Sequence, residues 1–323
     1  MFIQIAPLHW AGFILCVLFF LALDLGVLNR QAHVVKFKEV LTWSVIWCVL
    51  ALLFAVALVP LRGREEAVEF VTGYLIELSL SMDNVFVIAL IFAFFKVEQK
   101  YQHRVLFWGI LGALVMRGAM ILAGAELIEH FKWTLYLFGA FLVFTGSKMM
   151  CADNADVEPE KNPVIKLARR IFPIAAGDHG EKFHVRLNGR NLLTTLALVL
   201  LMVETTDLVF ALDSIPAIFA VTTKPFIVFT SNVFAILGLR SLYFVLAGAI
   251  DYFRYLKLGL SAVLIFIGAK MLLAPHRDPA RWFQIEIPTA VSLLVIAALL
   301  TSAMIASLIA AHREKNKADQ HTE

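Results

Sequence analysis

Long apolar runs separated by short polar segments fill the chain from end to end. Nine of these runs are long enough to cross a bilayer, because a hydrocarbon core of roughly 30 Å needs about 20 helical residues. They lie near residues 7–28, 39–60, 68–95, 104–127, 132–151, 191–216, 226–250, 254–273 and 284–311. The pattern predicts an all-α membrane protein that forms a single transmembrane domain over residues 1–323. The two spans within residues 1–60 are predicted to be peripheral.

The composition agrees with a lipid environment. Hydrophobic residues make up 60% of the chain and charged residues only 16%, whereas soluble domains carry about a quarter charged residues. The formal net charge of +3 gives no indication of nucleic-acid binding. The three cysteines, Cys16, Cys48 and Cys151, are too far apart to suggest a CxxC pair or a disulfide framework. Because no Lys or Arg precedes the first run, we expect a retained span and not a signal peptide.

The positions of the basic residues predict an orientation. With the N-terminus outside, 19 of the 28 Lys and Arg residues fall in cytoplasmic segments and 7 fall outside. The remaining two, Arg117 and Arg240, lie within spans. Since cytoplasmic loops of membrane proteins are enriched in Lys and Arg, the N-terminus is expected outside, and the tail of the last unit, 284–323, in the cytoplasm.

The only long connection, residues 152–190, is cytoplasmic in this arrangement. It begins with an acidic stretch and continues with Val164–Phe172, whose apolar residues share one face of a basic helix. That helix fits the anionic inner leaflet, although a solvated loop helix explains it equally well. Phe183–Arg190 alternates like a strand and contains an Asn-Gly turn signal.

An internal repeat relates residues 68–151 to residues 191–273. Leu142–Met149 closely matches Leu264–Met271 at an offset of 122 residues, and Asp83-Asn-Val-Phe is echoed by Asp207-Leu-Val-Phe. Each unit holds three spans, so the second unit must run through the membrane in the opposite direction. Spans 3–5 and 6–8 therefore form a predicted inverted repeat, an arrangement typical of transporters with a midplane site.

Five acids lie inside the first helix of the two units. They are Glu77, Asp83, Glu204, Asp207 and Asp213. A charged acid at the centre of a membrane helix costs roughly 2.5–3.5 kcal/mol, so intramembrane acids are rare and usually functional. Neutral oxygens accompany them on Ser79, Ser81, Asn84, Thr205, Thr206 and Ser214. We therefore predict a cation site built from these two helices.

The spacing of the acids leaves two geometries open. Glu204 and Asp207 are three residues apart and share a helical face. Asp207 and Asp213 are six apart and diverge by about 120° on a straight helix. Either the acids face two environments, or the helices are broken, and Pro216 favours a break at the end of the sixth span.

The predicted ligands are all oxygens, since the histidines fall in loops or near span ends and no cysteine lies near the acids. Such a set favours Mg²⁺, Ca²⁺ or Mn²⁺ over Zn²⁺ or Cu⁺. Arg117 and Arg240, on the second helix of each unit, are candidate counter-charges. Buried ion pairs alone are the alternative, but two arginines cannot neutralise five carboxylates.

These residues resemble the TerC family of membrane proteins, and particularly its Alx-like members. The resemblance rests on three segments: Gly73–Val87, Val203–Ala220 and Thr230–Arg240. Leu78 departs from it, since Alx-like sequences often have Lys there. The resemblance implies a bacterial inner-membrane exporter of Mn²⁺, with some members linked to tellurite resistance, and it points to the same five acids. Manganese comes from the resemblance alone; the residues themselves indicate only a hard divalent cation.

The leading functional hypothesis is a secondary transporter that exports Mn²⁺ as its substrate, with proton exchange as an energy source and no resident cofactor. The chain contains no Walker A sequence, so ATP is not expected to be its direct energy source. The alternative is a non-transporting membrane factor in tellurite resistance or envelope redox and pH stress, with residues 152–190 as a partner surface. A membrane-embedded hydrolase ranks last, because no Ser/His/Asp arrangement supports an enzyme. The expected partners are a divalent cation and the bilayer; the sequence predicts no oligomeric state.

Overall fold

The fold is helical in a computed structural model that describes residues 7–23, 37–151, 166–167, 170, 173–175, 180–187, 190–247, 255–275 and 284–320. Over these residues the helices are α1 (Pro7–Leu23), α2 (Phe37–Arg62), α3 (Arg64–Phe94), α4 (Gln99–His130), α5 (Thr134–Cys151), α6 (Thr195–Phe219), α7 (Pro225–Ala247), α8 (Leu256–Leu273) and α9 (Thr289–Gln320). Each of the nine predicted spans coincides with one of them.

Seven of the helices in this part of the chain are long and apolar enough to cross a membrane: α2, α3, α4, α5, α6, α8 and α9. α1 has 17 residues, and α7 contributes a shorter apolar segment, Pro225–Leu239. An all-α integral membrane protein is therefore confirmed. The count of nine crossings and their orientation stay predictions.

Large apolar side chains cover the outside of the bundle. Leu15 and Val56 are each 67% exposed and Leu294 is 70% exposed, on α1, α2 and α9 respectively. A soluble protein rarely exposes apolar surface on this scale. These faces fit contact with lipid.

The polar connection after α5 contains a hairpin, as its alternation predicted. β1 (His184–Leu187) pairs antiparallel with β2 (Arg190–Leu193), and His184 lies opposite Leu193. The sixth span was predicted to start at residue 191 and starts later, because residues 190–193 form β2. Thr194 then caps α6, and its Oγ1 accepts a hydrogen bond from the Ala197 amide at 3.3 Å. Most of the predicted interfacial helix, 164–172, lies outside the described residues.

Pro216 does not break α6. The helix continues through it to Phe219. A membrane helix tolerates proline where neighbouring helices re-satisfy the freed backbone groups. The spacing of the acids left two geometries open. The structure shows continuous helices whose acids lie on different faces.

Glycines allow α5 and α8 to cross closely. A Cβ on Gly268 would lie 2.7 Å from the carbonyl oxygen of Gly139, and a Cβ on Gly139 would lie 3.0 Å from that of Gly268. About two turns further along the crossing, a Cβ on Gly146 would lie 2.9 Å from the Ser261 carbonyl oxygen. Backbone carbonyls cannot rotate away as side chains can, so only glycine fits.

We predict that Gly268→Ala lowers the free energy of unfolding by about 1–3 kcal/mol, the usual cost of overpacking a close contact. Thermal unfolding of the purified protein in detergent checks this. The control is Gly12→Ala in α1, where a Cβ meets nothing within 4 Å. Equal stability of Gly268→Ala and the wild type would show that the crossing is looser than described.

Candidate cation site

Four helices surround the charged centre of the bundle. Contacts run in a ring, with α3 against α7, α7 against α4, α4 against α6, and α6 back against α3. α3 and α6 are the two acid-bearing helices, while α4 carries Arg117. The ring therefore brings the chemistry of both predicted repeat units to one place.

Arg117 is the central residue of this site. It is the largest fully buried side chain among the described residues, at 1% exposure. Its Nε and Nη2 donate to the two carboxylate oxygens of Asp207 at 3.1 and 2.7 Å, and Nη1 donates to Ser214 Oγ at 3.3 Å. Nη1 also forms an ion pair with Glu77, which is fully buried. One guanidinium on α4 thus binds carboxylates on both α3 and α6.

The charges in this group do not balance. A planar guanidinium suits bidentate binding of one carboxylate, and here it also serves a second one. With both carboxylates ionised, Glu77, Asp207 and Arg117 together carry excess negative charge. Leaving charge unneutralised inside a membrane is costly, so the group favours either a proton or a further cation.

Several buried oxygens around this group lack a hydrogen-bond donor in the described chain. They are Glu77 Oε2, Ser81 Oγ, Asn84 Oδ1 and Glu204 Oε2. Asn84 is oriented by its own amide, whose Nδ2 donates to Asp207 Oδ1 at 3.3 Å. Buried polar atoms are normally satisfied, and carboxylate, amide and hydroxyl oxygens are the ligands that hard divalent cations prefer.

Glu204 reaches this region because α4 has a glycine opposite it. A Cβ on Gly112 would collide with the Glu204 carboxylate. Glu204 lies one turn before Asp207 on α6 and shares its face, as the spacing predicted. Gly112 is not among the site residues predicted from the sequence, since only packing shows which side chain it faces.

Asp83 and Asp213 belong to other surroundings. Asp83 experiences the positive charge of Lys257 at the start of α8, and Asp213 lies close to the side chain of Thr145 on α5. The structure therefore does not bring all five predicted acids into one ligand cluster. Within the described residues, no group of three or more His, Cys, Asp or Glu is close enough to hold a metal ion.

The predicted neutral ligands divide in a similar way. Ser79, Thr205 and Thr206 donate to backbone carbonyls one turn earlier in their own helices, at 2.6, 2.6 and 2.8 Å. Ser214 is bound to Arg117. The Arg240 side chain lies outside the described residues, so its predicted role as a counter-charge stays a prediction.

A second ionic group, which was not predicted from the sequence, lies near the start of α3. Glu69 is 6% exposed; its Oε2 accepts a hydrogen bond from Thr222 at 2.9 Å, and Lys224 Nζ lies 3.2 Å away. Lys224 also lies 3.5 Å from Glu66. We call these four residues the Glu69 cluster. Its signal in the sequence was an acid inside an apolar span, but the partners lie more than 150 residues away.

The apolar exterior and the buried ionic centre define an integral membrane protein with several spanning helices. Residues 62–315 match the family described as integral membrane protein TerC family. The chain belongs to this family, and its relatives place it among the Alx-like members, as the resemblance had implied.

Three relatives cover nearly the whole chain. An uncharacterized membrane protein of Myxococcus xanthus, STKORF319, is 53% identical over 94% of this chain and 93% of its own length. Proteins of Escherichia coli K12 and Salmonella typhi carry the provisional name membrane-bound redox modulator Alx. They are 46% and 45% identical over 93% and 96% of this chain, and over 94% and 97% of their own lengths. No solved structure matches the chain.

We predict that Arg117→Met lowers the free energy of unfolding by about 3–5 kcal/mol, because it leaves two buried carboxylates without their cation. Adding Glu77→Gln and Asp207→Asn to the same chain should restore much of that loss. Thermal unfolding of the single and triple variants in detergent provides the comparison. An Arg117→Met protein as stable as the wild type would contradict the ion pairs described above.

Proposed function

We propose that the protein is a secondary transporter of the bacterial inner membrane that exports Mn²⁺. The observation that carries the proposal is the buried Arg117 group, where one guanidinium serves two carboxylates and neighbouring oxygens lack donors. A divalent cation at this place would supply the missing positive charge and satisfy those oxygens. The hard oxygen set supports a divalent cation, and the family resemblance supplies manganese.

The transport proposal includes an inverted repeat that relates α3, α4 and α5 to α6, α7 and α8. In this repeat α3 corresponds to α6, α4 to α7 and α5 to α8. The contact of α3 with α7 is then equivalent to the contact of α6 with α4, and the α5–α8 contact is equivalent to itself. All three contacts are present. The glycine contacts support the same relation. At the offset of 122, Gly139 corresponds to Ser261 and Gly146 to Gly268. The contact between Gly139 and Gly268 thus becomes the contact between Ser261 and Gly146, which also occurs.

The proposed cycle alternates the access of one site. Mn²⁺ enters from the cytoplasm and binds the carboxylates of α3 and α6 while Arg117 withdraws from at least one of them. The repeat units then rock against each other and open the site outward. Once the ion has left, Arg117 returns as the internal counter-charge. Proton exchange at the same carboxylates supplies the driving energy, since cations and protons compete for them.

The Glu69 cluster fits the outward side of this arrangement. In the orientation predicted from the basic residues, the start of α3 and the α6–α7 connection both lie outside. Thr222 and Lys224 belong to that connection, so the cluster ties the first helix of one unit to the second unit. Relative movement of the units would separate Glu69 from Lys224.

The name of the Alx relatives suggests a second function: a membrane factor that modulates redox state without transport. Cys16, Cys48 and Cys151 are all free thiols. In that case residues 152–190 form the partner surface, and deletion of this loop matters more than loss of the acids. Transport predicts the reverse order.

We predict that Glu77→Gln and Asp207→Asn each reduce Mn²⁺ export by roughly tenfold or more, since removal of a charge that organises a metal site commonly has that effect. Cellular manganese, measured after expression in a manganese-sensitive host, checks this. Glu126→Gln is the matched control, because that carboxylate is on α4 and its side chain is 58% exposed. Undiminished export by both the Glu77 and the Asp207 variant would refute the site.

A further inference from the structure

The site has four walls, and three of them supply charged or polar groups to it. α3 supplies Glu77 and Asn84, α4 supplies Arg117, and α6 supplies Asp207. The fourth wall, α7, has Asn232, which is 1% exposed and has no hydrogen-bond partner for its side-chain Nδ2 in the described chain.

Two neighbours of Asn232 fix the direction of its side chain. Ser231 faces α3, where a Cβ on Gly73 would lie 2.9 Å from Ser231 Oγ. Phe229 faces α4, where a Cβ on Gly118 would lie 3.2 Å from the Phe229 ring. Successive residues are rotated by about 100° around the α7 axis. Asn232 is therefore about 100° from Ser231 and about 60° from Phe229. Its side chain lies within the arc of about 160° that separates these two residues. Asn232 therefore points between α3 and α4, toward the centre of the ring.

The same contacts fix its depth. α3 and α7 run parallel, since Glu69 meets Lys224 just before α7 and Gly73 meets Ser231. Glu77 is four residues beyond Gly73 and Asn232 is one residue beyond Ser231, so their depths differ by about 4.5 Å at a rise of 1.5 Å per residue. On the other wall, Gly118 meets Phe229, and Arg117 is the next residue to Gly118. Asn232 thus lies at a depth between the backbone of Arg117 and Glu77.

The neighbouring polar residues of α7 have ordinary structural roles. Thr230 Oγ1 donates to the Phe226 carbonyl oxygen at 2.8 Å, and Ser231 Oγ donates to that of Val228 at 3.1 Å. Both hydroxyls are satisfied within their own helix. An unpaired buried donor, in contrast, costs about 1–3 kcal/mol in proteins, and the packing of α7 gives Asn232 Nδ2 no partner within the described residues.

We propose that Asn232 is a direct ligand of the cation site, with its amide oxygen on the divalent cation and its Nδ2 directed at the Glu77 carboxylate. This inference rests on the proposed function. An amide oxygen adds a hard, neutral ligand, which strengthens binding without further negative charge to compensate. It also gives each of the four walls of the site a contact with either the ion or its counter-charge.

The test is Mn²⁺-dependent thermal stabilisation of the purified full-length protein in detergent. Asn232→Leu removes the amide at similar volume. We expect its unfolding temperature without Mn²⁺ to equal or exceed that of the wild type, because the substitution removes a buried donor, Nδ2, that has no partner within the described residues. The Mn²⁺ concentration for half-maximal stabilisation should rise about tenfold or more. For Asn232→Asp, which keeps an oxygen ligand, this concentration should stay within a few-fold of the wild-type value. For the control Ser231→Ala it should equal the wild-type value.

The outcomes separate the ligand assignment from the proposed function. A wild-type Mn²⁺ response in Asn232→Leu, or equal losses in Asn232→Leu and Asn232→Asp, would overturn the role of Asn232 alone. A wild type that Mn²⁺ does not stabilise would overturn the proposed function and this inference with it. If Asn232→Leu does not fold, Asn232→Ala removes the same amide without a large side chain and decides between the same outcomes.

Discussion

The ionic group around Arg117 is the constraint on which the rest of the structure depends. A guanidinium buried in an apolar bundle must be paired, and both Asp207 and Glu77 lie within its reach. These three residues come from three helices, so α3, α4 and α6 are held at one depth. Because one cation serves two carboxylates, the same group that stabilises the fold also attracts a second positive charge.

Close helix packing makes this geometry possible. Gly112 leaves room for the Glu204 carboxylate, Gly73 lets α7 approach α3, and the Gly139–Gly268 crossing brings α5 against α8. Between membrane helices, where lipid is as apolar as the side chains, small residues permit the van der Waals contact that favours association. The glycines therefore position the charged centre, although they carry no chemistry themselves.

The sequence predicted the helices well because each is a long apolar run between polar segments, and a strand-like alternation with an Asn-Gly turn signal marked the segment that forms the hairpin. It identified Arg117 and the five acids because charge is conspicuous in an apolar span. It could not show that Asp83 and Asp213 face away from Arg117, since helix rotation depends on packing. The pairing of Glu69 with Lys224 was not predicted for the same reason. The orientation of the Asn232 side chain could not be predicted either, since it depends on how α7 packs against α3 and α4.

The proposed function requires that this protein itself moves a divalent cation through the Arg117 site. The most direct measurement is Mn²⁺ flux into liposomes that contain the purified protein, with a proton gradient imposed across the membrane. We expect flux above that of empty liposomes for the wild type and loss of this flux in Asp207→Asn. Flux that is no greater than in empty liposomes, from wild-type protein shown to be folded and inserted, would contradict it.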